Sequence, residues 1–207
     1  MESERNDMVR LIQAYGVQDE KILKAMRKIK RHNFIPEDYR WLYDPYGDYP
    51  CPIGNGQTIS QPFVVAYMTE RIAPKPNEKI LEIGTGSGYQ AAILAEMGAD
   101  VYSIEIVPEL ANHAKKILAQ EGYNIHVLEG DGYKGWPEMA PFDIIIVTCA
   151  PEEIPDDLVN QLREGGRMIL PVGVVSNQRL VLLRKSAGKI QKEEDLPVRF
   201  VPMVHEK

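Results

Sequence analysis

The sequence predicts an α/β fold: a doubly wound, mostly parallel sheet with antiparallel C-terminal strands and an N-terminal helical extension. Three observations lead there. From Lys79 to Pro171, short apolar runs alternate with helix-length stretches, the rhythm of repeated strand–helix units whose strands lie parallel. The run Asp143–Thr148 (DIIIVT) is continuously apolar at its centre, as expected of a strand covered by helices on both faces. Glycines 84, 86 and 88 follow directly on the first apolar strand, where such a fold turns from strand into helix.

Taken in order, residues 1–45 carry no strand pattern and form the helical extension, leaving 46–207 for the main domain. Within Asp19–Arg31 the apolar residues Ile22, Leu23, Ala25, Met26 and Ile29 recur at helical spacing. The remaining Lys21, Lys24, Arg27, Lys28, Lys30 and Arg31 read as a solvated basic face. An RNA-binding face is the competing reading, but no glycine or aromatic residue interleaves the run. Residues 41–62 are punctuated by Pro, Gly, Asp and Asn and read as a loop; an irregular segment of about 20 residues in a compact domain is more often functional than idle. Trp41, like Trp136, reads as a core or loop anchor. A helix over Pro62–Ile72 begins with proline at its first position, and residues 74–78 break it. Strands follow at Ile80–Ile83, Val101–Ile106, Ile125–Glu129, Asp143–Thr148 and Arg167–Pro171, with helices at Tyr89–Met97, Pro108–Glu121 and Pro155–Arg163. After Gly173 the rhythm changes, and Arg179–Arg184, Lys189–Lys192 and Val198–Met203 read as antiparallel strands.

Composition narrows the function. The 207 residues hold 24 Lys+Arg against 30 Asp+Glu, a net charge of −6, which disfavours a nucleic-acid partner. No stretch approaches the ~20 apolar residues of a membrane span, and the charged Met1–Asp7 lacks the apolar core of a secretory signal. Cys51 and Cys149 are too few for a disulfide framework, so a cytoplasmic protein with reduced thiols is expected. His32, His113, His126 and His205 are scattered without metal-ligand spacing. A monomer is expected, with no nucleic-acid, membrane or metal partner.

The chemistry gathers at Leu81-Glu82-Ile83-Gly84-Thr85-Gly86-Ser87-Gly88. Glycines after the first strand let the backbone approach a ligand closely. A dinucleotide fold wants its third glycine three residues after the second, but Tyr89 stands there, and no lysine follows as in a phosphate-binding P-loop. The next strand ends in Glu105, whose carboxylate suits two ribose hydroxyls; the third ends in Gly130-Asp131-Gly132, where an aspartate suits an exocyclic adenine amine. Carboxylates without a phosphate clamp suit a cationic nucleoside such as S-adenosylmethionine.

ILEIGTGSGYQAA (80–92) resembles the first cofactor motif of the protein-L-isoaspartate O-methyltransferase family. Tyr102–Glu105, Gly130–Gly132, PFDIIIVTCAP (141–151) and GGRMILPVG (165–173) resemble its later motifs. GNGQTISQP (54–62) and RFVPM (199–203) are the more specific matches, and Arg31–Pro36 fits the N-terminal pattern. The ending Val204–Lys207 departs from relatives whose longer tail carries hydroxyl and glycine residues. The resemblance implies a Rossmann-like fold and methyl transfer from S-adenosylmethionine to the α-carboxylate of L-isoaspartyl residues in damaged proteins, with S-adenosylhomocysteine as product and no metal. It implies cofactor contacts from Glu82, Gly84, Thr85, Gly86, Ser87, Gly88, Glu105, Asp131, Gly132 and Thr148. Ser60 takes the catalytic position, with Thr58, Val201 and Pro202 also toward the substrate.

Other readings stand beside these. Thr58 and Ser60 also suit capping of the helix at Pro62. Val198–Pro202 is either an edge that pairs with the substrate peptide or an ordinary strand. Cys149 reads as a small packed residue rather than a nucleophile. A same-fold methyltransferase for RNA or small molecules shares the cofactor set but leaves GNGQTISQP and RFVPM unexplained, and a non-catalytic nucleoside binder leaves Ser60 unexplained.

Overall fold

The computed structural model describes residues 1–206, beginning with helices α1 (Glu2–Ala14), α2 (Glu20–Lys28) and the single turn α3 (Glu37–Arg40). Asp19 caps α2 by accepting the Lys21 N–H at 2.8 Å, and Arg27 and Lys28 lie at the negative end of its dipole. The apolar side of α2 is buried against α4 and α5 (below). One member of the expected basic face departs from it: Arg31 is fully buried. Trp41 is no anchor, being 84% exposed, whereas Trp136 packs edge-on against Tyr102, with ring centroids 5.5 Å apart.

The segment 41–62 is not all loop. It contains a hairpin of β1 (Cys51–Gly54) and β2 (Gln57–Ile59), joined through Asn55 and Gly56. Both turn residues have positive φ, 52° and 69°, the geometry that matches the twist of paired strands and selects Asn-Gly. The hairpin leads into α4 (Pro62–Ile72).

The alternating region follows: β3 (Lys79–Ile83), α5 (Tyr89–Glu96), β4 (Asp100–Glu105), α6 (Pro108–Gln120), β5 (His126–Glu129), β6 (Phe142–Val147), α7 (Asp156–Gln161) and β7 (Leu162–Val172). The last hairpin is β8 (Gln178–Ser186) and β9 (Lys189–Val198). The seven strands are ordered β5-β4-β3-β6-β7-β8-β9; all pairs through β6–β7 are parallel, and the last two are antiparallel. Ile80, Ile144, Ile146 and Ile169 face α4 and α5, while Leu81, Ile83, Ile145, Val147 and Met168 face α7 and the Trp136 turn. Both faces of the central strands are therefore apolar, which accounts for the unbroken DIIIVT run. The order reverses beside β3, so the crevice beyond β3, β4 and β6 is where such sheets bind ligands.

Two boundaries at the C-terminal end differ from expectation. Strand β9 continues to Val198, and 199–203 forms no strand of its own beyond a single bridge between Pro202 and Ala150. Residues 193–195 carry no strand signal because their charged side chains are mostly exposed and show no alternation; cross-strand pairing with β8 defines the strand. Strand β7 starts directly after α7, within the span read as helix.

Candidate active site

The glycine turn after β3 is shaped by its backbone. Gly84 has φ +93°, and a Cβ there would stand 2.6 Å from Thr148 Oγ1, so only glycine fits. Thr148, just past β6, donates its hydroxyl to the Gly84 carbonyl at 2.6 Å and holds the turn against the sheet. Gly88 closes the turn by donating its N–H to Thr85 at 2.7 Å, and α5 starts at the next residue. Glu105, at the end of β4, accepts the Gly86 N–H at 2.7 Å and the Val107 N–H at 3.0 Å. Each of its oxygens keeps a lone pair free of these bonds. Burial raises its pKa, and the backbone N–H groups work against that rise.

Glu82 lies beneath the turn, fully buried, and Ser103 donates to its Oε2. Ser103 is in turn 2.5 Å from Thr85 Oγ1. Its Oε1 has no protein partner. Burial, and secondarily the charge on Glu105, push its pKa up to about 8 against the pull of Ser103, so near neutral pH the carboxyl is largely protonated.

A cavity opens over this turn, lined by Glu82, Gly84, Thr85, Gly86, Ser87, Glu105, Gly132 and Thr148. Its remaining wall includes Tyr89, Ile106, Cys149, Thr58, Ser60, Val201 and Pro202. A second cleft beside it is lined by Pro50, Phe63, Val64, Pro197 and Arg199. Thr58, Ser60, Thr148 and Val201 belong to both, so Ser60 stands where the two meet. Burial, with the nearby Glu105 and Glu82, raises the Cys149 pKa strongly, so its thiol stays protonated and unsuited to attack.

Gly88, expected as a cofactor contact, is not among the residues lining the cavity, and Asp131 and the 199–203 edge also sit differently. Asp131 does not line the cavity; its carboxylate accepts the Tyr133 N–H at 2.9 Å and lies 3.2 Å from His205 Nδ1, whose ring stacks on Tyr133. Burial opposes ionisation of Asp131, but these bonds hold its pKa below the usual value. Segment 199–203 is tied by the Ala150 N–H to Val201 and the Met203 N–H to Ala150, both at 2.8 Å. Gln178 accepts the Phe200 N–H at 2.6 Å, and Pro202 has no N–H, so this edge offers fewer donors to an added strand than its sequence suggests.

Helix α4 is not capped by Thr58 or Ser60. Asp48 accepts the Phe63 N–H at 2.9 Å and holds Gln61 Nε2 at 2.8 Å, freeing both hydroxyls from that duty. Asp48 carries no functional signal in the sequence, and Arg31, whose guanidinium reaches the Ser60 carbonyl at 3.0 Å, is marked there only as the start of the N-terminal family pattern. Asp48 lies in a segment dense with turn residues, and Arg31 ends a basic run.

These features fit an S-adenosyl nucleoside. Glu105 keeps two acceptor sites for ribose hydroxyls, the glycine turn is a cradle that a Cβ would fill, and the orphaned Glu82 Oε1 is a buried polar atom without a protein partner in the cavity wall. Among the described residues no group of His, Cys, Asp or Glu is placed to hold a metal ion, and no helix is long and apolar enough to cross a membrane.

Residues 3–207 match the family of protein-L-isoaspartate(D-aspartate) O-methyltransferases. The chain is 54% identical over 194 residues to the protein-L-isoaspartate O-methyltransferase of Gloeobacter violaceus, covering 93% of this chain and 94% of that one. It is 48% identical over 203 residues to the Methanoculleus marisnigri protein of the same name, covering 97% and 91%. Among solved structures it resembles the Plasmodium falciparum protein carrying that family's name, in complex with S-adenosyl-L-homocysteine. The TM-score is 0.87 at 26% identity, over 98% of this chain and 99% of that one.

Proposed function

This chain belongs to the protein-L-isoaspartate O-methyltransferase family, and on that premise we propose that it repairs proteins by methylating the free α-carboxylate of L-isoaspartyl residues. Bound S-adenosylmethionine supplies the methyl group as a sulfonium electrophile, leaving S-adenosylhomocysteine. Glu105 would hold the ribose, and Gly84, Thr85, Gly86, Ser87 and Gly132 would line the cradle around the cofactor, with the buried Glu82 carboxyl in its wall. Gly88 and Thr148 act by keeping the turn in shape, and the Asp131 carboxylate is engaged by the Tyr133 N–H and lies beside His205.

The acceptor carboxylate is ionised at neutral pH, with a reference pKa of about 4, so no general base is required. Rate then depends on alignment and on exclusion of water. Ser60 donates its hydroxyl to one carboxylate oxygen and directs the other toward the cofactor cavity, whose wall also includes Thr58, Val201 and Pro202. The carrying observation is that Ser60 lines both the cofactor cavity and the adjoining cleft. The methyl ester afterwards loses methanol to a succinimide without the enzyme, and hydrolysis of the succinimide partly restores aspartate.

A cytoplasmic monomer acting without nucleic acid or membrane is our reading of its acidic charge and two unpaired cysteines. Residues 1–45 serve as the helical extension of the methyltransferase domain. Chromatography of an L-isoaspartyl peptide during incubation with protein and cofactor tests the function. The L-aspartyl form should accumulate; an unchanged peptide, or conversion equally fast without protein, contradicts it.

A further inference from the structure

Arg31 is fully buried, yet no carboxylate forms a salt bridge with it among the described residues. Its guanidinium donates through Nε to the Pro45 carbonyl at 2.8 Å, through Nη1 to that of Ser60 at 3.0 Å, and through Nη2 to that of Tyr49 at 3.4 Å. Three carbonyls across the irregular segment 41–62 thus converge on one planar fork. The same guanidinium carbon lies 5.2 Å from the centroid of Tyr89, which opens α5 and lines the cofactor cavity.

A buried cation with no salt bridge, its charge offset only at longer range by Asp48, is a poor device for stability, since well-packed apolar side chains usually serve as well or better. What the fork does supply is fixed geometry: five donors in one rigid plane hold several acceptors at set positions, which a flexible ammonium does not. Asp48 adds a second grip just after Ser60, through the Phe63 N–H and the Gln61 side chain. Ser60 therefore lies between two anchors.

We propose that Arg31 is a positioning residue for methyl transfer, setting the Ser60 backbone, and with it the Ser60 hydroxyl, against the Tyr89 side of the cofactor cavity. The inference rests on the assignment of Ser60 above. It gives the helical extension a part in catalysis: the turn beginning at Arg31 binds three carbonyls of the active-site segment and packs on Tyr89, the residue after the glycine turn.

The test compares Arg31→Lys and Arg31→Met with the native protein. Both are measured for S-adenosylhomocysteine affinity by calorimetry, kcat and KM on an isoaspartyl peptide, thermal melting, and amide hydrogen exchange over residues 57–61. Arg31→Lys should bind S-adenosylhomocysteine within about twofold of native but lose about ten- to a hundredfold in kcat, the scale of a misplacement near 1 Å. Peptide KM should change little, and exchange over 57–61 should quicken in both variants. Native kcat with native exchange in either folded variant overturns the proposal, as does a loss of affinity equal to the loss of kcat. If the native protein fails to methylate isoaspartyl peptides, the functional reading fails, and the exchange measurement still decides whether Arg31 holds the segment.

Discussion

Replacing Glu105 by glutamine separates a ligand role from a structural one. The carboxylate is 5% exposed and accepts two backbone N–H groups, one on each oxygen, while its outer lone pairs are assigned to the ribose. Glutamine keeps the shape and one acceptor but turns an NH₂ toward one of those N–H donors. Loss of one hydrogen bond between the ligand and a charged acceptor costs about 1.5–3 kcal/mol, so S-adenosylhomocysteine should bind roughly ten- to a hundredfold more weakly. Leaving one buried N–H unsatisfied costs a further ~1–3 kcal/mol of stability, and at ~2–4 °C per kcal/mol for a chain of this size the melting temperature should fall by several degrees. Calorimetry reads the first effect and a thermal melt the second. A lowered melting temperature with unchanged affinity refutes the ribose assignment and leaves Glu105 as a brace of the glycine turn.

Further outcomes follow from the same geometry. Ser60→Ala should lower kcat by roughly a hundredfold, the scale for losing one oriented donor, with S-adenosylhomocysteine affinity preserved; equal losses of rate and affinity would make Ser60 structural. Between pH 4.5, the ordinary carboxyl value, and about 8, the folded protein retains a proton on Glu82 that the unfolded chain has released, so stability falls as pH rises. Glu82→Gln should flatten that slope and melt higher than native at pH above about 8; an identical slope in native and variant melts contradicts the assigned burial effect. Gly84→Ala should abolish cofactor binding, since a positive φ costs a non-glycine residue about 1–2 kcal/mol before the contact with Thr148 is counted; calorimetric binding near native would contradict the close approach. Cys149→Ala should retain at least about half the native turnover, because a protonated, packed thiol is no nucleophile; loss of activity in a stably folded variant would give the thiol a direct role.

The parts of the fold that could be read from sequence are those where local chemistry and global position agree. Pro62 and Ile72 bound α4 as the pattern indicates, because proline is pre-organised for a first turn and the apolar spacing is helical. The glycine turn was visible because positive φ and close approach restrict the residue type. Asn55-Gly56 held a hairpin signal, but strands of four and three residues, the first containing Pro52, are too short to show alternation. Arg31 reads with the solvated lysines because nothing local signals its burial, which depends on carbonyls 14, 18 and 29 residues away. The same holds for Asp48, whose partners are 13 and 15 residues on, and for Asp131, whose carboxylate meets a histidine 74 residues later. Ser60 emerged only through the resemblance of its surrounding motif; its meeting point between two cavities is a property of the folded chain.

Radiolabelled S-adenosylmethionine with two peptides of one sequence, differing only in an L-isoaspartyl or L-aspartyl linkage, tests the central claim most directly. Base-labile methyl incorporation into the isoaspartyl peptide alone is the predicted result. Incorporation into both peptides, or into neither, contradicts it.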